Sequence, residues 1–180
     1  PEVGLAGASI RLYDQPDLLN SGGNTIHFLG FSWCGHLNEP AAEFPAEMSV
    51  TTALASTVLL PLQRFRDVGG FAEPYFAYHE DVDLCFGLRL RGYDIRWVRD
   101  AVSRHRYEFS RNTFKLGIVD RNRLAFVLTN FETRTLWLLA PAFVVMEVGV
   151  AGLSLMQGWF GPKAKGWWWL WRHRRWLREH

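Results

Sequence analysis

The amino-acid sequence predicts an α/β domain followed by C-terminal hydrophobic helices. Three observations carry that expectation. Apolar runs of strand length, foremost residues 3–10, alternate with segments of helical period as far as residue 130. Turn clusters punctuate them at Asp14-Gln15-Pro16-Asp17, Ser21-Gly22-Gly23-Asn24 and Gly69-Gly70. Beyond residue 132 the character changes: between Thr135 and Phe160 the only ionisable side chain is Glu147.

Residues 3–10 (VGLAGASI) are small and apolar and bounded by a turn, which suits a buried central strand. Residues 25–31 predict a short strand, and 32–47, with Gly, Asn and two Pro but no sustained period, predict a long loop. Residues 48–60 (MSVTTALASTVLL) read as one buried strand running up to Pro61. Pro61 suits the first position of a short helix carrying Leu62, Phe65 and Val68, which Gly69-Gly70 stops.

A second helix is expected from about His79, with Glu80, Asp81 and Asp83 in its first turn and Arg89 and Arg91 in its last, complementing the helix dipole. Gly92 stands where a left-handed cap is expected. Residues 93–98 and 101–105 predict two strands, and 111–130 a long helix.

Residues 135–160 are long enough to cross a bilayer, since about 20 apolar residues at ~1.5 Å each match a hydrocarbon core of about 30 Å. Glu147 near the middle, Pro141, and a stripe of Glu147, Ala151, Ser154 and Gly158 make an in-plane or re-entrant helix pair the competing expectation. A buried helical hairpin is the soluble alternative. In the last 18 residues Trp167, Trp168, Trp169, Trp171 and Trp176 interleave with Arg172, Arg174, Arg175 and Arg178, a composition suited to the headgroup layer of an anionic leaflet.

Composition bounds the function classes. With 180 residues, 48% hydrophobic and 21% charged, the chain can bury a core and is not a disordered tail. Cys34 and Cys85, without CxxC spacing, suit a reducing compartment rather than a disulfide scaffold. Nine Trp and thirteen Phe suggest a membrane interface or a sugar-handling surface. The formal charge of +2 divides into −3 over residues 1–162 and +5 over 163–180. Basic excess confined to a Trp-rich tail argues against nucleic acid as partner. An opening at Pro1, directly before a strand and without the features of a secretory signal, is read as a piece of a longer protein.

The most specific stretch is residues 68–93, VGGFAEPYFAYHEDVDLCFGLRLRGY. It gathers three carboxylates in the first turn of a helix after an aromatic loop, where they could cap the helix, hold a cation, or accept a sugar hydroxyl's proton. The pattern GGFxExxFxYxEDVDLC, closed by Gly92-Tyr93, resembles the second half of the inverting family 2 glycosyltransferases, in their rhamnosyltransferase-like branch. The resemblance spans about residues 3–130 and implies a partial GT-A (Rossmann-like) fold lacking its N-terminal nucleotide-binding half. Residues 1–132 would form the acceptor half, and 133–180 a membrane-associating helical tail.

By the same resemblance, Asp81 is expected as general base and Glu80 as the group that positions base or acceptor. Asp83 would cap the helix or orient neighbouring backbone, and with Tyr78 and Phe76 it forms the acceptor or structural support; Phe71, Tyr75, Phe76 and Tyr78 would wall the sugar site, or else pack as plain core, and Ser56 and Thr57, beside Ala55, would lie near the donor sugar. His105 would help bind a divalent metal, Mg2+ or Mn2+, held mainly by an Asp-x-Asp motif expected upstream. The only Asp-x-Asp here is Asp81-Val82-Asp83, Gly87 replaces an Arg common in the pattern, and the Gln-x-x-Arg-Trp signature of processive enzymes is missing.

The expectation is therefore a fragment of a non-processive glycosyltransferase. Its intact form would move a sugar from a nucleotide-sugar donor to a lipid-linked or growing polysaccharide acceptor at the cytoplasmic face of the membrane. A non-catalytic membrane-anchoring or partner-binding module is the alternative. A metal hydrolase built on Glu80, Asp81 and His105 is weaker, with no HExxH spacing to support it.

Overall fold

The computed structural model describes residues 1–106 and 112–180. The protein is mixed α/β, and it divides into two compact units. The first comprises Pro1–Ile26, Ser32–Phe76 and residues 80–106; the second comprises His27–Phe31, Ala77–His79 and residues 112–180. The long helix that begins at Thr113 lies in the second unit, with the tail.

The first unit is built on β1 (Val3–Leu12), the central strand expected from its small apolar residues. It pairs in parallel with β7 (Asp94–His105), and antiparallel with β2 (Leu19–Ser21) and β6 (Val58–Leu59). Beyond β7 the sheet ends on β5 (Glu47–Ser49), so its order is β2-β1-β7-β5, with β6 also on β1. A separate antiparallel pair joins β3 (Asn24–Ile26) to β4 (Ser32–Cys34). The strand expected over 25–31 therefore ends at Ile26, and the loop expected over 32–47 holds β4 and a 3-10 turn at Ala41–Glu43.

Two expectations about strands change. Residues 48–60 are not one strand. The chain leaves β5, crosses irregularly, and re-enters the sheet at β6. The reason lies in where the backbone donors go: Ala53 N–H reaches Cys85 Sγ at 3.5 Å and Ala55 N–H reaches Asp81 Oδ2 at 3.3 Å, both on the helix that follows. Close packing adds to this, since a Cβ on Gly7 would stand 2.5 Å from the Ala53 Cβ.

Conversely, 93–98 and 101–105 are one strand with an insertion. Ala8 pairs with Val98 but Ser9 with Val102, so Arg99, Asp100 and Ala101 bulge out of the ladder. Arg11 holds the bulge, donating from its guanidinium to Arg99 O and Pro16 O, each at 3.1 Å, and to Ser9 Oγ at 2.6 Å.

Helix α1 (Leu62–Asp67) starts one residue later than expected, with Pro61 as its N-cap. Helix α2 (Glu80–Leu90) lays Leu84, Cys85 and Leu88 on Leu5, Ile95 and Ala53, forming the main core of this unit. Each fully buried Leu of this set contributes about 1.5–3 kcal/mol of burial free energy. Burial also pushes the Cys85 thiol up to about 12, which makes it an inert packing group. Gly92 closes α2 at φ 85°, the left-handed cap expected of it. A second cluster packs Leu19 and Ala41 on Trp97.

Burial opposes ionisation of Asp94. The Ser49 hydroxyl at 2.5 Å, then Arg96 at 2.8 Å and Arg89 at 3.7 Å, outweigh it and hold the carboxyl below its ordinary range.

The second unit is helical: α3 (Thr113–Asn130), α4 (Thr133–Met156), α5 (Phe160–Arg172) and α6 (Trp176–Glu179). Arg111, the expected start of α3, lies outside the described residues; the helix is capped by the Asn112 side chain, which accepts from Phe114 N–H at 2.9 Å. Helix α4 runs without interruption through Pro141. At 24 residues it is long and apolar enough to cross a membrane. Within it only Ser154 is buried, while Trp137 is 77% and Met156 87% exposed. Among the described residues α4 therefore lacks the cover that a buried helical hairpin would give it.

Glu147 is not a lone acid on that helix. Its carboxylate accepts from Arg123 of α3, from Lys163 Nζ at 3.0 Å and from Trp167 Nε1 at 3.0 Å, the last two on α5. Asp120 completes the set, 2.7 Å from Lys163 Nζ and 3.0 Å from Arg123. Arg123 and Lys163 are almost wholly buried. Lys163, counted with the basic tail in the sequence, is thus neutralised inside the helical unit. Helices α3 and α5 meet closely at Gly117, where a Cβ would stand 2.6 Å from Pro162 Cβ.

Replacing Lys163 by Met should lower stability by about 3 kcal/mol, because it leaves buried carboxylates undercompensated. Chemical denaturation in detergent measures it. A Cβ at Gly87, inside α2, would stand 3.6 Å from Val68 Cβ, an ordinary contact. Gly87→Ala should therefore raise the denaturation midpoint, by about 0.5–1 kcal/mol of stability.

Candidate functional site

The acids of α2 fall at its N-terminus because the preceding chain cannot be helical. Phe76, Tyr78 and His79 all have positive φ, at 65°, 69° and 68°. Such conformations cost non-glycine residues of order 1–3 kcal/mol each and concentrate at functional sites. In the first unit, Phe76 closes the 3-10 turn Glu73–Tyr75 and leaves its ring 77% exposed. In the second, Asn122 of α3 donates to Ala77 O at 2.7 Å and Tyr78 O at 2.6 Å, and His79 Nε2 lies 3.0 Å from Gly30 O.

The three carboxylates have three environments. Asp83 is buried and accepts the Tyr75 hydroxyl at 3.2 Å. This fixes the turn against α2, a supporting role. Tyr75 is itself wholly buried, so it does not wall an open sugar site, whereas Phe71, Phe76 and Tyr78 are exposed. Tyr78 also has Lys115 Nζ 5.4 Å from its ring centre.

Asp81 accepts from Val82 N–H at 2.8 Å through Oδ1 and from Ala55 N–H at 3.3 Å through Oδ2. This second bond ties the small-residue segment to the acid pair. Ser56 and Thr57 follow at once, both exposed, with Thr57 O accepting from Ala8 N–H of β1 at 3.1 Å.

Glu80 is half-buried, and its Oε2 is out of solvent with no hydrogen-bond partner among the described residues. Burial pushes its carboxyl above the ordinary glutamate range; its own backbone N–H opposes that rise, and the charge of Asp81 adds to it. A carboxyl of this kind holds its proton to higher pH than a solvent-exposed glutamate does.

His105, the last residue of β7, has Nδ1 3.1 Å from Asn20 Oδ1, a bond that orients the ring. Among the described residues no three His, Cys, Asp or Glu side chains converge on a point that could hold a metal. The structure thus unites Glu80, Asp81 and the 55–57 segment in one unit, and it does not gather His105 into a ligand cluster with them.

Sequence reasoning missed Asn122, Arg123 and Asp120. The signal available was a polar block, Asp120-Arg121-Asn122-Arg123, interrupting the apolar side of α3. In comparisons with known proteins, the chain matches no family model and no curated sequence.

Glu80→Gln should stabilise the protein at neutral pH. With the folded pKa raised, both states are protonated at low pH and no penalty exists. As pH rises past the unfolded value, the unfolded chain ionises first and the wild type loses stability, until the loss is complete above the folded pKa. The advantage of the variant in thermal denaturation should therefore grow from acid to neutral pH.

Proposed function

We propose that the chain is the acceptor half and membrane-associating end of an inverting, non-processive glycosyltransferase with a partial GT-A fold. The observation that carries the reading is the Asp81–Ala55 hydrogen bond, which brings the Glu80-Asp81 pair to the small-residue segment of Ser56 and Thr57. It supports the resemblance with geometry that a simple helix cap does not require.

In this reading Asp81 takes the proton of an acceptor hydroxyl while that oxygen forms a bond to the anomeric carbon. The bond from that carbon to the nucleoside diphosphate breaks on the opposite face, and the diphosphate leaves with the electron pair. Exposed Phe76, in the same unit as the acid pair, offers an apolar face to an acceptor sugar, and small side chains at 55–57 leave room for the donor.

A divalent ion, Mg2+ or Mn2+, would neutralise the departing diphosphate. The described residues do not by themselves form a set that holds it, and the reading assigns its main ligands to an upstream half, with His105 as an auxiliary ligand. Helix α4 suits residence at the cytoplasmic face of the membrane, where a lipid-linked acceptor would be met.

One observation favours a second assignment within the same site. Glu80, not Asp81, has the unpartnered carboxylate oxygen and the raised pKa, which suits it as base with Asp81 as its orienter.

Joined to its nucleotide-binding half, Asp81→Asn should lower kcat by about 10²–10⁴-fold with little change in nucleotide-sugar affinity. Wild-type turnover in that variant overturns Asp81 as base. If Glu80→Gln instead abolishes the ascending limb of the pH–rate profile, the base is Glu80. Full activity in both variants removes the transferase reading.

A further inference from the structure

We propose that the α5–α6 hook is a binding site for the phosphate of anionic phospholipid headgroups. The proposal rests on the reading that this end of the chain lies at a membrane, and it specifies what the hook recognises there.

The hook is an ordered turn. The His173 ring stacks on Trp169 with centroids 4.0 Å apart, and its Nδ1 lies 2.9 Å from Trp169 O. Trp176 meets Trp169 edge-on at 6.1 Å and stacks with His180 at 5.1 Å. Leu177 is buried, which fixes α6.

This aromatic ladder leaves Arg172, Arg174, Arg175 and Arg178 lining one concavity of about 320 Å³, with Glu179 the only acid on its wall among the described residues. Glu179 is engaged with Arg175 at 2.8 Å. Two of the remaining guanidiniums are braced on indoles, Arg172 at 5.2 Å from the Trp168 ring centre and Arg174 at 4.8 Å from that of Trp171.

Charge complementarity names the occupant. Guanidiniums that share a concavity repel one another in the absence of an anion, and their planar forks match phosphate oxygens. The bracing indoles, Trp168 and Trp171, are themselves exposed, as amphipathic rings at a headgroup layer are. The helix that precedes α5 is the exposed apolar α4. Lys163 is excluded from this role by its burial with Asp120 and Glu147, so the four arginines carry it.

The test is flotation of the full chain with two vesicle types, phosphatidylcholine alone and phosphatidylcholine mixed equally with phosphatidylglycerol. The wild type should favour the anionic vesicles by at least about tenfold, less so as salt rises, each arginine contributing up to about fivefold. Replacing all four arginines by Gln should abolish the preference while leaving binding to phosphatidylcholine unchanged, which also reports that the variant folds. Replacing them by Lys should restore only part of it, since point charges replace forks.

Full preference in the Lys variant, or undiminished preference in the Gln variant, overturns the arginine site. Loss of preference on adding millimolar inorganic phosphate at constant ionic strength assigns the hook to free phosphate and overturns the lipid. Equal binding to both vesicles overturns the inference alone, whereas binding to neither removes the membrane reading with it.

Discussion

Four charges set the form of the helical unit. Asp120, Arg123, Glu147 and Lys163 come from three helices, and two of each sign close the set. Burying any one alone would be prohibitive, so the helices must arrive together or not pack at all. Arg123 extends the constraint, since it also donates to Leu29 O at 3.1 Å and covers the Phe31 ring at 4.5 Å, binding the His27–Phe31 segment to α3. Because Glu147 spends the polar side of α4 inward, the apolar residues of that helix are left facing outward. The acid that argues against a membrane helix in the sequence is, in the fold, what turns the apolar side out.

The same economy governs the acids of α2. Three carboxylates within four positions would repel as equals, and the fold makes them unequal. Tyr75 engages Asp83 in the core, backbone amides engage Asp81, and Glu80 keeps one oxygen unpartnered. Environments that push neighbouring titratable groups apart allow one of a pair to carry charge while the other exchanges a proton. The backbone strain that precedes them is confined to Phe76, Tyr78 and His79 and is offset in part by the hydrogen bonds of Asn122 and His79.

Legibility in the sequence followed the range of the interactions. Strand β1, helix α2 with its acidic first turn, and the Gly92 cap rest on local signals, namely small apolar runs, dipole-matched charges and a residue that tolerates positive φ. Residues 48–60 misled because their composition suits a strand, while their direction is set by Cys85 and Asp81 about thirty residues onward. Lys163 reads as one more cation of a basic tail, and its partners Asp120 and Glu147 lie 43 and 16 positions away. Of the candidate site, the acid pair and the 55–57 segment could be named in advance. Which carboxylate keeps a bare oxygen could not, since burial is a property of the packed chain.

The bulge in β7 adds an odd number of residues between two stretches paired to the same strand. Side chains on a strand alternate faces with every residue, so the insertion reverses the parity of all that follows. Paired residues share a face, so His105 owes its side of the sheet to Leu12, opposite which it stands, and not to the count of residues from Arg99 to Ala101. A lineage that lost one of those three, while keeping the pairing on both sides, would leave His105 where it is. The bulge thus absorbs insertions and deletions, and the strand's end keeps its chemistry.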